Sequence, residues 1–237
     1  MKAKIVKLGS IIANGEAVPV GSPCLGKEIL FGDTVPDNEL EWVQDGDNLV
    51  ATRCVCTKVT WDDLNSQGYI YGHPIWIDRR PYFCRSLRLG MQKGELNEWD
   101  DLLDRYGNLD KLWHWKGQRF WGQETTMSPG DHRLRGGRSS REWFSFYGKI
   151  AGFEGIMFGF RPLLEPLGDP ASLTGDDLGK RIVVYGPDGM SIRGTLSRLD
   201  DYDLVLDLDY HLHIRCDWAT RRKNTVIVSR SAVCLKN

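Results

Sequence analysis

This 237-residue chain has no run of roughly 18 apolar residues, so the sequence gives no candidate membrane-spanning helix. Its opening, MKAKIVKLGSIIANGEAVPVG, has lysines but only short apolar runs broken by Gly, Asn and Glu, unlike a secretory signal. A cytoplasmic protein without membrane contact is expected. Charge of one sign is lacking too, since 31 Lys and Arg against 32 Asp and Glu leave a formal net charge of −1. That balance excludes a chain that coats nucleic acid through bulk positive charge. The phosphate loop G-x-x-x-x-G-K-[ST] and the nucleophile elbow G-x-S-x-G do not occur, and repeats and low-complexity tracts are missing. The histidines His73, His114, His132, His211 and His213 show no His-x-x-x-His spacing in the first two thirds of the chain. Surface or satisfied core roles are expected for them. The cysteines Cys24, Cys54, Cys56, Cys84, Cys216 and Cys234 are dispersed through apolar or β-patterned stretches. No second Cys or His pair at zinc spacing accompanies Cys54 and Cys56, so buried free thiols are expected and no metal ligand is assigned.

What the chain does have is 41% hydrophobic residues, 26 glycines, 10 prolines and nine tryptophans, the composition of a globular protein built of short strands and loops. β-branched and aromatic residues cluster in LVATRCVCTKVTW (49–61), YIYGHPIWI (69–77) and RPYFCRSLRLG (80–90). In ELNEWDDLLDRYG, Leu96, Trp99, Leu102, Leu103 and Tyr106 fall at helical spacing, with Gly107 as the stop. RPLLEPLGDPASLTGDD (161–177) reads as a connector, because its three prolines restrict helix and central strand alike. Beyond it KRIVVYG, SIRGTLSRL, DLVLDLDY, LHIRCDW and NTVIVSR with AVCLK read as five short strands, the first two joined by a Gly-Pro-Asp-Gly turn. The expected fold is α+β, mostly β and loop-rich. A domain over 1–168 has one or two helices, a linker covers 169–177, and a five-stranded small β-barrel covers 178–237.

The stretch RLRGGRSSREWF (133–144) gathers four arginines around Gly136 and Gly137. A guanidinium has five donors that can tie several loop carbonyls together while its plane stacks on an aromatic ring. Arg135, Arg141 and Arg161 are therefore read chiefly as structural anchors, with Gly136 and Gly137 allowing the tight turn. A nucleic-acid patch and an anion cradle on the Gly-Gly amides are the alternatives.

NEWDDLLD (97–104), LWHWKGQRFWGQE (112–124), RLRGGRSSREW (133–143) and FGFRPLLEP (159–166) together resemble the fold shared by formylglycine-generating enzymes and C-type-lectin-like domains. More narrowly, they are similar to phage and Gram-positive bacterial proteins ending Gly-Phe-Arg-Pro-x-Leu-Glu. The enzymes of that fold bind copper through a cysteine pair, but this chain has no cysteine between Arg85 and Cys216. The resemblance therefore carries no cofactor and no catalysis, although a metal-dependent oxidase stays as an alternative class. In the C-terminal part, IRGTLSRLDDYDLVLD (192–207) and VIVSRSAVCLK (226–236) resemble the two signatures of Sm-like barrels. That likeness implies an RNA-binding site at Tyr202, Asp203 and Arg230, and assembly through the barrel. The chain departs from the pattern: its loop is a residue short, Asp replaces the base-reading amide, and Ser231 replaces the turn glycine.

The function expected is a non-catalytic binding protein that recognises a protein or nucleoprotein complex, with Trp113, Trp115, Arg119, Trp121, His132 and Arg138 as contacts. If encoded by a phage or mobile element, such a protein would act in the host cytoplasm as an inhibitor of a bacterial defence nuclease, in the manner of an anti-CRISPR protein. An RNA-binding regulator is the alternative, with nucleic acid the less favoured partner.

Overall fold

The computed structural model of the chain describes residues 2–153, 155–209, 213–214 and 216–236. Strands make up 44% and helices 12%, which puts the protein in a β-rich α+β class. The chain divides into two compact units, the first up to Arg79 together with Phe83–Glu165, the second Arg80–Tyr82 together with Pro166 onward.

One sheet, drawn mostly from the first unit, runs in the order Ile5–Lys7, Glu41–Asp45, Asn48–Ala51, Pro162–Pro166, Arg80–Ser86, His73–Ile77. A second runs Trp143–Tyr147, Asp131–Gly136, Gln118–Thr125, Ile156–Phe160, Cys56–Thr57, Ser22–Pro23, with Gly152–Phe153 beside Ile156–Phe160. A small third sheet holds Glu16–Val18, Ser10–Ala13 and Leu30–Gly32. Hairpins such as Glu41–Asp45 with Asn48–Ala51 are joined in these sheets by strands far apart in sequence, as in the parallel pairing of Gln118–Phe120 with Met157–Gly159.

The expected helix is Glu98–Tyr106. Asn97 caps it by accepting from the Asp100 amide, acidic residues fill its first turn, and Gly107 ends it at φ 85°. Trp99, Leu102 and Leu103 face inward and pack with Trp113, Phe120, Leu87, Leu89, Val50 and Leu163 in one core. Leu96 does not join that stripe: it precedes the cap and is 90% exposed. Two further helices, Trp61–Ser66 and Asp110–Trp113, raise the number to three among the described residues, against the one or two expected. The first of them starts at a reciprocal cap, Thr60 with Asp63.

The second unit is one sheet in the order Ala219–Arg222, Thr225–Ser229, Asp203–Asp207, Ser191–Leu199, Arg181–Tyr185, Cys234–Leu235. Alternation places Leu204 and Leu206 inward with Val184, Ile192, Leu196, Val226 and Val228. The first hairpin turns where expected, with Gly189 at φ 77°. The sheet has six strands among the described residues, not five. The described part of LHIRCDW is not a strand. Instead Ala219–Arg222 pairs back on Thr225–Ser229 through a tight turn with Lys223 at φ 56°. The segment expected as a linker is built into this unit, as two single 3-10 turns at Pro170–Ser172 and Gly175–Asp177. Its carbonyls at Pro170, Ala171 and Leu173 accept from Arg230.

Candidate functional site

The arginine-rich stretch is engaged within the first unit. Arg135 is 3% exposed, pairs with Asp100 and lies over the Trp143 ring, its guanidinium carbon 4.8 Å from the centroid. Arg141 bridges Asp100 and Asp104 on the helix opposite. Arg133 reaches Ser145 and the Met91 carbonyl. Arg161 is fully buried, with Nη1 donating to the Ala51 carbonyl at 2.9 Å and Nη2 to the Trp113 carbonyl at 2.5 Å. Its plane lies over Trp99 and Phe120 at 4.9 and 4.8 Å, and burial lowers its pKa to about 10. Gly136 and Gly137 have φ of 90° and 108°, and a Cβ on Gly136 would meet the Gln118 carbonyl at 2.7 Å.

Four of the six expected partner contacts belong to the interior. Trp113 and Trp121 are 0% exposed, their indole N–H groups donating to the Gly107 and Val59 carbonyls. Arg119 is 3% exposed, pairs with Glu142 at 2.8 Å and stacks on Phe144. His132 is stacked on Trp61 at 3.7 Å, and burial holds its pKa below the usual imidazole value. As surface contacts these four are corrected: an aromatic or planar cation in a loop-rich chain is also what fills the space between irregular elements. Trp115, half-buried, and Arg138, exposed, remain at the surface. They sit on two loops bridged to each other, where the Gly137 amide donates to the Trp115 carbonyl and the Gly117 amide to the Gly137 carbonyl.

Gly117 leads from these loops into an open hollow of about 590 Å³. Leu25, Ala151, Ile156 and Met157 line it with glycines and, as the one cation among the described residues, Lys58. Leu25 is 57% exposed and Met157 38%, and Ile150, next to Ala151 in the chain, is 39% exposed. No signal in the sequence joins these positions, because Leu25, Lys58, Gly117 and Met157 come from four separate segments.

In the second unit Tyr202 is 81% exposed, and Asp203 opens a strand opposite Ser229. Arg230 does not face solvent with a free fork. Its donors go to the Pro170, Ala171, Leu173 and Asp200 carbonyls at 2.7–3.2 Å.

The cysteine pair that holds copper in the first resemblance is missing from the region where that resemblance places it. The region between Arg85 and Cys216 has no thiol, and the described residues contain no group of three or more His, Cys, Asp or Glu placed to hold a metal. The six cysteines are free thiols. Burial pushes Cys54 up to about 11 and raises Cys84, so neither is poised as a thiolate. No helix among the described residues is long and apolar enough to cross a membrane. No family model matches the chain, and comparison with curated proteins and with solved structures likewise found no match.

Proposed function

We propose that the chain is a binding protein whose first unit takes a protein partner into the Leu25–Met157 hollow. One observation carries the reading: an open apolar concavity survives on a unit that closes most of its large apolar side chains into its core. The partner we assign is an exposed segment with an apolar side chain for the hollow and carboxylates beside it. Lys58 lines the hollow, and exposed Lys116 and Arg138 stand on the bridged loops that lead into it. Trp115 fits the rim of such a site.

The finer readings are part of the same proposal. The first unit is a lectin-like scaffold, supported by the motif residues Trp99, Arg135 and Arg161 acting as internal ties. The second is an Sm-like barrel, supported by its alternating leucines. That the partner is a bacterial defence nuclease rests on the sequence resemblance alone.

Selection from a displayed library of short peptides tests the site. The expected result is enrichment of an apolar residue next to Asp or Glu. Met157→Asp should weaken the selected peptides roughly 10- to 150-fold, the loss of one buried apolar anchor, without lowering the melting temperature. Peptides that bind Met157→Asp as well as the parent chain would overturn the assignment.

A further inference from the structure

The outward face of the second unit holds a feature that protein recognition by the first unit does not use. In the hairpin of Arg181–Tyr185 and Ser191–Leu199, Val183 pairs with Arg193, Tyr185 with Ser191, and Arg181 with Thr195. On the other side of the same strand the Lys236 amide donates to the Val183 carbonyl at 3.0 Å. Because strand residues alternate, Arg181, Val183 and Tyr185 share one face, and the cross-strand partners of Val183 and Tyr185 share it with them. The result is a shallow pocket of about 300 Å³ lined by Arg181, Val183, Tyr185, Ser191, Arg193 and Lys236. Three cations surround one half-exposed valine and one half-exposed tyrosine, and no carboxylate is among the lining residues described. Tyr185, Arg193 and Lys236 are each also engaged within the chain, and Arg181 pairs with Asp209 at 2.9 Å.

The concentration of charge is local. Lys and Arg residues and Asp and Glu residues are equal in number from Pro166 onward, ten of each, so three cations around one pocket are a local excess, offset at its Arg181 end by Asp209. Further acidic groups stand next door: Thr195 pairs with Asp207 on the adjoining strand, which also starts with Asp203.

We propose that this pocket binds a small phosphomonoester bearing an aromatic ring, the chemistry of a mononucleotide. Arg193 and Lys236, on either side of Val183, would take the phosphate oxygens through charge-assisted bonds. Tyr185 gives the ring a stacking surface and Ser191 a hydroxyl beside it. Size and field both favour a compact ligand over a strand: 300 Å³ sits at the small end of ligand pockets, and a polyanion continuing past Thr195 would run against Asp207 and Asp203.

Calorimetric titration of the full chain decides it, with adenosine and uridine 5′-monophosphate, inorganic phosphate and a short oligo(dT) as probes. A nucleoside monophosphate should bind saturably, roughly tenfold or more tighter than inorganic phosphate, as one stacked ring allows. Arg193→Ala and Lys236→Ala should each weaken it roughly tenfold or more. Tyr185→Leu should bring the nucleotide down to the level of inorganic phosphate. Arg222→Ala, two strands beyond the acidic one, should change nothing. A melting curve for each variant separates lost binding from lost folding, and the exposed Arg193 and Lys236 carry the decision if Tyr185→Leu melts early. The proposal is overturned by the absence of saturable binding, by equal affinity for inorganic phosphate, or by binding that survives both cation variants. Tighter binding of oligo(dT) per nucleotide would overturn it in favour of a strand.

Discussion

Replacing Arg161 by Met removes a guanidinium while keeping an unbranched, mostly apolar stem of similar reach. Two hydrogen bonds are lost, to the Ala51 and Trp113 carbonyls, and both acceptors stay buried without a donor from this side chain. A hydrogen bond from a charged donor contributes about 1.5–3 kcal/mol net, so the pair contributes about 3–6 kcal/mol. Stacking on Trp99 and Phe120 is lost as well, although the methionine sulfur recovers part of that contact. Against this stands the cost of burying a cation with no carboxylate hydrogen-bonded to it, a term that can exceed the gain in buried ion pairs. The net bond values already include desolvation, so the expectation is a loss of about 3–6 kcal/mol. Urea unfolding followed by tryptophan fluorescence measures it, since Trp99 and Trp113 adjoin the site. With a slope of about 2 kcal/mol/M, the midpoint of the first unit should fall by about 1.5–3 M at unchanged slope. Arg161→Lys should fall between parent and Met, because an ammonium keeps the charge but cannot fork to two carbonyls on separate segments. An Arg161→Met protein as stable as the parent would refute the anchoring argument and show that desolvation outweighs the bonds.

Two further perturbations follow from the same kind of bookkeeping. Arg230→Ala should destabilise the second unit by about 1–3 kcal/mol, less than four bonds would suggest because water reaches the freed carbonyls, and should speed hydrogen exchange at Leu173. Unchanged melting and exchange, with loss of RNA binding instead, would restore Arg230 to a recognition role. For Glu98, burial alone would raise the pKa, but hydrogen bonds and charge from Arg85, joined by Arg88, outweigh burial and hold it below the usual 4.5. The folded state then binds fewer protons than the unfolded one, so this stabilisation is complete above pH 4.5 and disappears as pH falls through the lower folded value. Stability measured from pH 6 down to 3 should decline less steeply in Glu98→Gln, and an identical slope would count against the Arg85–Glu98 pair as its source.

Local chemistry was legible in the sequence wherever a few adjacent residues determine the outcome. Asn97, the acidic first turn and Gly107 define the long helix, and the Gly-Pro-Asp-Gly turn and alternating leucines define the strands of the second unit. The Thr60–Asp63 cap was equally local, but a short helix inside a stretch rich in β-branched residues is masked by its neighbours. Side-chain type alone did not separate contact from core. Trp113 and Trp121 have the composition of an interface, yet their N–H groups find carbonyls 6 and 62 residues away, and that pairing allows them to be buried.

By itself the sequence determined a β-rich chain of two differing halves, balanced charge, one capped helix and arginines set among aromatics, because each of these follows from residues close in the chain. Tertiary structure decided which of those arginines are tied inward and which tryptophans are sealed. It also brought Leu25, Lys58, Gly117 and Met157 around one hollow and Lys236 beside Val183 and Arg193. The physical reason is that strand pairing between distant segments sets these neighbours, and no local pattern encodes a partner a hundred residues away.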